Sequence, residues 1–357
     1  MKIGIVTQSL QSNYGGILQN YALQQVLKRM GYDVWTVDYN KFGWLDWADN
    51  AWRVVAHKLL GHDARLLPTP PERMRMEAPL RRFVYKYVSL TKPRTKRLEG
   101  NILDKYAFDV LLVGSDQVWR PCYNYDVADC FLKFAKYLSI KRVAYAASFG
   151  TDEWEFSKAQ TAECARLAKR FDGISVREKS GIKLCREHLG VEAVQVIDPT
   201  LLLRAEDYTD LCRDIPPRDA FVFAYILDES EDKLRQIKSF AKSKGLDYFI
   251  KSAHAAISSD DTVELWLSYF RDAAFVITDS FHGTAFAINF NKDFYAFGNV
   301  GRGNSRFESL LSTFHLSNRL VGDELPQIEL QIDWKKVNAL REEEIKKANE
   351  WLRNNLK

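Results

Sequence analysis

Cysteine is scarce in this sequence, and nothing in its spacing suggests pairing. Cys122, Cys130, Cys164, Cys185 and Cys212 are odd in number and lack a C-x-x-C step, so neither a disulfide framework nor a zinc site is indicated. Long apolar runs are missing too, and no stretch approaches the roughly 20 residues that span a bilayer. The opening "MKIGIVTQSL" lacks a basic-then-hydrophobic leader, which makes a cytoplasmic location the expectation. There is no Walker sequence, no G-x-G-x-x-G and no set of residues with metal-ligand spacing. Neither a metal nor a resident cofactor is therefore expected.

What is present is an ordinary globular composition on a large scale. With 357 residues the chain exceeds the size at which a single core usually stops growing, which argues for two domains. Apolar residues make up 46% and charged residues 27%; aromatics, at 13% with nine Trp, run high but serve mostly as core. The net charge of +4 is unevenly spread. Between Arg53 and Lys105 stand thirteen Lys or Arg against five Asp or Glu, an excess of eight. That excess suits phosphates, an anionic membrane or acidic glycans, and suits equally the solvated side of a helical insertion. No nucleic-acid motif accompanies it, so no nucleic-acid partner is expected.

Apolar strands and amphipathic helices alternate along the chain. "IGIVT" reads as a buried strand, "ILQNYALQQVLKRM" as a helix closed by Gly31, and "DVWTVDYN" as a second strand, the opening unit of a doubly wound sheet. A basic helical insertion with a "PTPPE" break interrupts the pattern at about 41–105. Strands return at "DVLLVGSDQVW", "RVAYAASFG", "GISVREKSG" and "AVQVIDPTLLL", where Pro199 is a candidate hinge. A second alternating set runs from "AFVFAYIL" to "KDFYAFG", and the tail from about 333 is an amphipathic helix. The fold class is α/β: two Rossmann-like domains facing across a cleft, residues 1–199 and 200–357, the terminal helix belonging to the second.

Ligands of open parallel sheets bind beyond the carboxyl ends of the strands. Unusual polar residues cluster at five such ends: Asn13 to Gly16, Gly114 to Gln117, Ser148 to Gly150, Arg177 with Glu178, and Asp279 to Thr284. Gly114, Ser115, Gly283 and Thr284 are expected to leave amides open at helix starts, where an anion is favoured. Arg177 suits a carboxylate or phosphate held bidentately. Asp116 and Gln117 suit sugar hydroxyls. Each residue also has a structural reading: Asp279, Ser280 or Asp116 as a helix cap, His282 as a satisfied helix-start histidine, Arg177 as the partner of a buried acid. Taken together they point to a small anion beside a polyol.

"NYGGILQNYALQQVL", "LLVGSDQVW", "ISVREKSG", "DPTLLL" and "TDSFHGTAFAI", in this order, resemble the polysaccharide pyruvyl transferase family, as does the later "NSRFESLLSTFHLSNRLV". The resemblance runs from Lys2 to about Val321. It implies a fold similar to two-domain GT-B glycosyltransferases. The implied reaction moves the enolpyruvyl portion of phosphoenolpyruvate onto a sugar, free or lipid-linked, as a ketal, in cell-surface polysaccharide synthesis. It implies His282 as general acid and base, protonated beside the bound anion, and Arg177 gripping the donor. Asp279 is expected to orient the imidazole; Asn13, Tyr14, Gly16, Gln19, Ser115, Asp116 and Gln117 are expected to form the acceptor side. Where many members of the family carry arginine two residues before the histidine, Ser280 stands here. Ser280, Gly283 and Thr284 are expected on the donor side, and either Arg302 or Arg306 then supplies that cation, or the donor differs. A nucleotide-sugar glycosyltransferase and a non-catalytic glycan-binding member are the competing readings, and peripheral contact with the inner membrane is a further expectation.

Overall fold

A computed structural model describes residues 1–39, 44–59, 67–95, 98, 100–252, 261–298, 303–326 and 331–357. In the first half, β1 (Lys2–Val6), α1 (Tyr14–Arg29) and β2 (Asp33–Thr36) are followed by α2 (Trp44–Leu59), α3 (Pro70–Tyr87) and α4 (Asn101–Tyr106). Then come β3 (Val110–Val113), β4 (Lys141–Ala147), α5 (Lys158–Ala168), β5 (Gly173–Val176), α6 (Lys179–Leu184) and β6 (Val194–Gln195). The second half carries α7 (Ala205–Thr209), β7 (Phe221–Ile226), α8 (Glu231–Ser243), β8 (Asp247–Ser252), α9 (Val263–Asp272) and β9 (Phe275–Thr278). It ends with α10 (Phe281–Asn289), β10 (Asp293–Phe297), α11 (Ser305–Thr313), β11 (Leu320–Val321) and α12 (Trp334–Leu356).

Two sheets result, ordered β2-β1-β3-β4-β5-β6 and β11-β10-β9-β7-β8, and every pairing is parallel. Strands β3, β7 and β9 are buried along their whole length, as strands covered by helices on both faces must be. In each sheet the winding reverses once. The reversal lies between β1 and β3 in the first sheet and between β7 and β9 in the second. Those two switch points face each other.

The two halves share one apolar core. A single cluster runs from Ile3, Leu18 and Leu80 through Leu201 and Tyr208 to Trp266, Phe286 and Leu352, while the outer faces of the two sheets carry separate clusters. Tyr14 lies at this seam: its ring stacks on Trp266 at 5.3 Å, and its hydroxyl donates to the Asp261 carbonyl at 3.2 Å. A stacked pair of this kind adds roughly 0.5–1.5 kcal/mol beyond its area.

Two expected features differ from the structure. The strand expected through "AVQVIDPTLLL" is only Val194–Gln195, because Asp198 caps a tight turn opened by Pro199. That turn is tied to α10: the Asn289 amide donates to the carbonyls of Thr200 and Leu203, both at 2.9 Å. The terminal helix also crosses back to the first half. Arg341 donates to the Leu201 and Leu203 carbonyls within the second half, but Trp351 packs on Tyr145 of β4, and Asn355 lies where a side chain at Gly173 of β5 would go. Among the described residues, no helix is long and apolar enough to cross a membrane.

Candidate active site

A cavity of about 220 Å³ sits over both switch points. The first half contributes Ser12, Asn13 and Gly15 after β1, with Asp116 and Gln117 after β3. The second contributes Tyr225 and Leu227 at the end of β7, Asp279 to His282 after β9, and Arg306 from α11. Asn13, Asp116, Gln117, Asp279, Ser280, His282 and Arg306, seven of the residues singled out in the sequence, thus meet in one place, drawn from four strand ends and α11.

His282 lies in the first turn of α10 and is 6% exposed. Among the described residues its Nε2 has no hydrogen-bond partner, and it stands 3.8 Å from Asp198 Oδ2. Burial pushes the imidazole below its ordinary pKa, and Arg177 and Arg306 push the same way; the Asp198 and Asp116 carboxylates oppose them without winning. The balance favours the neutral imidazole.

The carboxylate beside the imidazole is that of Asp198, not the expected Asp279. Its Oδ2 accepts from Arg177 Nη1 at 2.8 Å and Ser115 Oγ at 3.1 Å. Oδ1 accepts from the Thr200 amide at 2.9 Å and hydroxyl at 2.7 Å. Burial alone would raise its pKa, but His282, Arg177 and these hydrogen bonds outweigh that and hold it below the ordinary range. The one sequence signal was "DPT" after an apolar run, an Asp followed by a Pro-led turn that its own carboxylate caps.

Arg177 is buried and turned to Asp198, with Asp116 Oδ1 at 3.8 Å from Nη2. It does not line the cavity. The ring of Phe281, which does line it, lies 4.2 Å from the Arg177 guanidinium and 5.9 Å from that of Arg306. Arg306 is the cation on the cavity wall, its pKa pushed down to about 10 by burial and by Arg177, so it stays charged at neutral pH. Arg302 lies outside the described residues.

Asp279 faces away from the imidazole. Its carboxylate accepts from the Leu227 and Asp228 amides at 2.5 and 3.0 Å and from Lys233 Nζ at 2.9 Å. It joins the β7 and β9 loops. The amides expected to be open are in part taken. Gly114 N–H bonds the Val6 carbonyl, Gly283 N–H the Ser280 hydroxyl and Thr284 N–H the Ser280 carbonyl. Ser280 is the N-cap of α10, and the amides still without a described acceptor at that helix start are those of Phe281 and His282.

On the other side Asn13 caps α1 through the Gly16 amide at 3.1 Å, and Gln19 is buried, donating to Thr7 and the Gly16 carbonyl. Tyr14 and Gln19 are thereby structural in placement. Asp116 sits at φ 77°, a left-handed conformation uncommon for a side-chain-bearing residue, and its Oδ1 accepts from the Gln117 amide at 2.9 Å. Gln117 Oε1 accepts from Arg120, while Glu178 spends Oε1 on the Phe149 and Gly150 amides rather than on Arg177. Gly15 touches the imidazole so closely that a Cβ there would overlap the ring, 2.7 Å from Cε1 and nearer still to Nδ1 and Cγ. No group of three or more His, Cys, Asp and Glu among the described residues is placed to hold a metal ion.

Two facing parallel sheets with a small cavity on their switch points define a GT-B-like protein, and solved structures agree. UDP-GlcNAc 2-epimerase from Neisseria meningitidis, bound to UDP-GlcNAc, is similar at TM-score 0.52 and 10% identity, over 100% of this chain and 99% of that one. The same enzyme from Methanocaldococcus jannaschii gives 0.50 and 14%, over 96% and 92%. Arabidopsis thaliana UGT89C1, complexed with UDP-L-rhamnose, gives 0.52 and 12%, over 98% of each chain. At these identities the likeness concerns fold alone. No curated protein matches the sequence. The family model for polysaccharide pyruvyl transferase matches residues 13–300, and the chain belongs to that family.

Proposed function

We propose that the cleft transfers the pyruvyl group of phosphoenolpyruvate to two hydroxyls of a sugar, releasing phosphate. Membership of the family supports pyruvyl transfer. The observation that carries the donor is the cavity itself: a histidine and an arginine on one wall, at about 220 Å³, below the ~300–1,000 Å³ of sites for larger ligands. That size suits a small trianion better than a nucleotide sugar.

In this reading Arg306 and the Phe281 and His282 amides hold the donor's carboxylate and phosphate, as a helix start holds anions. The incoming negative charge raises the pKa of the imidazole, so His282 takes a proton as the donor binds. It delivers that proton to C3, turning the methylene into a methyl and leaving C2 electron-poor. One sugar hydroxyl attacks C2, a C–O bond forms, and the hydroxyl proton returns to His282. The C2–O bond to phosphate then breaks with its electron pair, the second hydroxyl closes the ketal, and its proton leaves with phosphate. A well-placed acid–base group of this kind is worth about two to four powers of ten. Asp198, kept ionised by Arg177, stabilises the imidazolium; Arg177 acts through it. Asn13, Asp116 and Gln117 face the acceptor. Asp279 acts by holding the β9 loop.

Calorimetric titration tests the donor. Phosphoenolpyruvate is expected to bind the wild type and to lose affinity with Arg306→Gln. Binding of a UDP-sugar with no heat from phosphoenolpyruvate would transfer the chain to nucleotide-sugar chemistry.

A further inference from the structure

We infer that the outer face of α3 is a docking surface for an anionic phospholipid bilayer. The helix has two unlike faces. Leu80, Phe83 and Val84 enter the shared core, and Glu77 and Arg81 are buried beside them. Exposed positions recur at helical spacing on the other side: Pro71, Met74, Arg75, Ala78, Arg82 and Tyr85, with Lys86 adjoining. Met74 is 69% and Tyr85 63% exposed. A single exposed apolar residue needs no explanation. Here apolar side chains alternate with cations along one stripe, and the one exposed acid of the helix, Glu72, is turned back onto the Thr69 amide and hydroxyl at 2.8 and 2.7 Å.

A soluble polyanion would use Arg75, Arg82 and Lys86 but gain nothing from Met74 and Tyr85. A bilayer surface uses both, since cations meet the headgroups while the Met74 side chain and the Tyr85 ring, its hydroxyl kept at the polar level, reach the acyl boundary. The inner face of the helix leads toward the active site. Arg81 donates to the Leu10 carbonyl at 3.0 Å and grips Asp38 at 2.8 and 3.2 Å, while Arg73 reaches Gln11 at 3.4 Å. Two residues further on, Ser12 and Asn13 line the cavity. A docked α3 would thus lie one loop from the acceptor side. The inference rests on this surface and not on the donor chemistry.

Co-sedimentation of the full chain with vesicles is the test, comparing phosphatidylcholine alone with phosphatidylcholine doped with phosphatidylglycerol. Binding is expected to the doped vesicles only, and to be lost at 1 M salt, where screening acts within about 3 Å. Arg75→Glu with Arg82→Glu should weaken it at least about tenfold, each cation near such a surface being worth roughly fivefold. Met74→Ser with Tyr85→Ser should weaken it too, with the salt dependence retained. All four side chains are exposed, and an unchanged Tm checks that the variants fold. No binding to doped vesicles would overturn the inference, as would equal binding by the wild type and both variants. So would tight binding to polyphosphate that survives Met74→Ser with Tyr85→Ser at undiminished vesicle affinity. Phosphate release with a soluble acceptor needs no bilayer, so a failure here leaves the proposed reaction standing, and the converse.

Discussion

Gly15→Ala perturbs the site through one added methyl group. The backbone of Gly15 is helical, so alanine costs nothing in conformation and gains in propensity by roughly 1 kcal/mol. The whole penalty comes from across the cleft. The new Cβ would lie 2.7 Å from His282 Cε1, where an ordinary contact begins at 3.4 Å, so the ring must retreat by at least 0.7 Å, and by more at Nδ1. The seam is a packed core and α10 is tied to the Pro199 turn, so the imidazole has little room to yield except by leaving its place beside Asp198. A misplacement of about 1 Å at a reacting group costs about a hundredfold. The expected result is a fall of one to two powers of ten in kcat, with a stability loss within the ~1–3 kcal/mol of overpacking. Phosphate release and thermal unfolding, read on Gly15→Ala, His282→Ala and the double variant, separate the terms. Removing the imidazole should relieve the stability loss, giving a favourable coupling energy. Wild-type kcat in Gly15→Ala, or additive stability losses in the double variant, would refute the idea that α1 sets the position of the ring.

Arg306→Gln should raise the KM for the donor by roughly tenfold to a hundredfold, the worth of a charged hydrogen bond of ~1.5–3 kcal/mol, with a smaller effect on kcat; steady-state kinetics decide. Asp198→Asn removes a charge that raises the pKa of the imidazole, so the alkaline limb of the kcat profile should move to lower pH. That variant also leaves Arg177 buried without its carboxylate, at about 3–5 kcal/mol, so the profile is read at a temperature where unfolding scans show it native. The lowered pKa of His282 carries a stability signature as well. Below its unfolded value of about 6.5 the unfolded chain binds a proton that the folded chain refuses, so stability falls as pH falls through that value. His282→Gln should remove up to about 1.4 kcal/mol per pH unit of that slope, measured by denaturant unfolding between pH 7 and 5.

The fold was legible because its strands are apolar runs such as "VLLV" and "FVIT" that only a sheet covered on both faces can hold. The site was legible to the extent that polar residues after such strands must crowd the switch points. What sequence could not show was how tertiary contacts divide the work among them. Asp279 and Asp198 both follow apolar segments; the first is consumed by the amides of the neighbouring loop, and the second lies under the imidazole only because α10 docks on the Pro199 turn. Gly15 and Gly16 look alike in "NYGG", yet Gly15 owes its identity to a ring 267 positions later. Tyr14 carries a hydroxyl suited to a sugar and spends it on the seam. The return of α12 to the first sheet left no trace in periodicity, since an amphipathic helix shows that it has a buried face and not what buries it.

The central claim is that His282 hands a proton to C3 of the donor. Transfer run in D₂O, with the ketal methyl followed by NMR, reads that step directly. One deuterium in the methyl group from the wild type, and no ketal from a folded His282→Ala, is the expected result. Ketal formed at the wild-type rate by His282→Ala, or a product that keeps the methylene without deuterium, would contradict it.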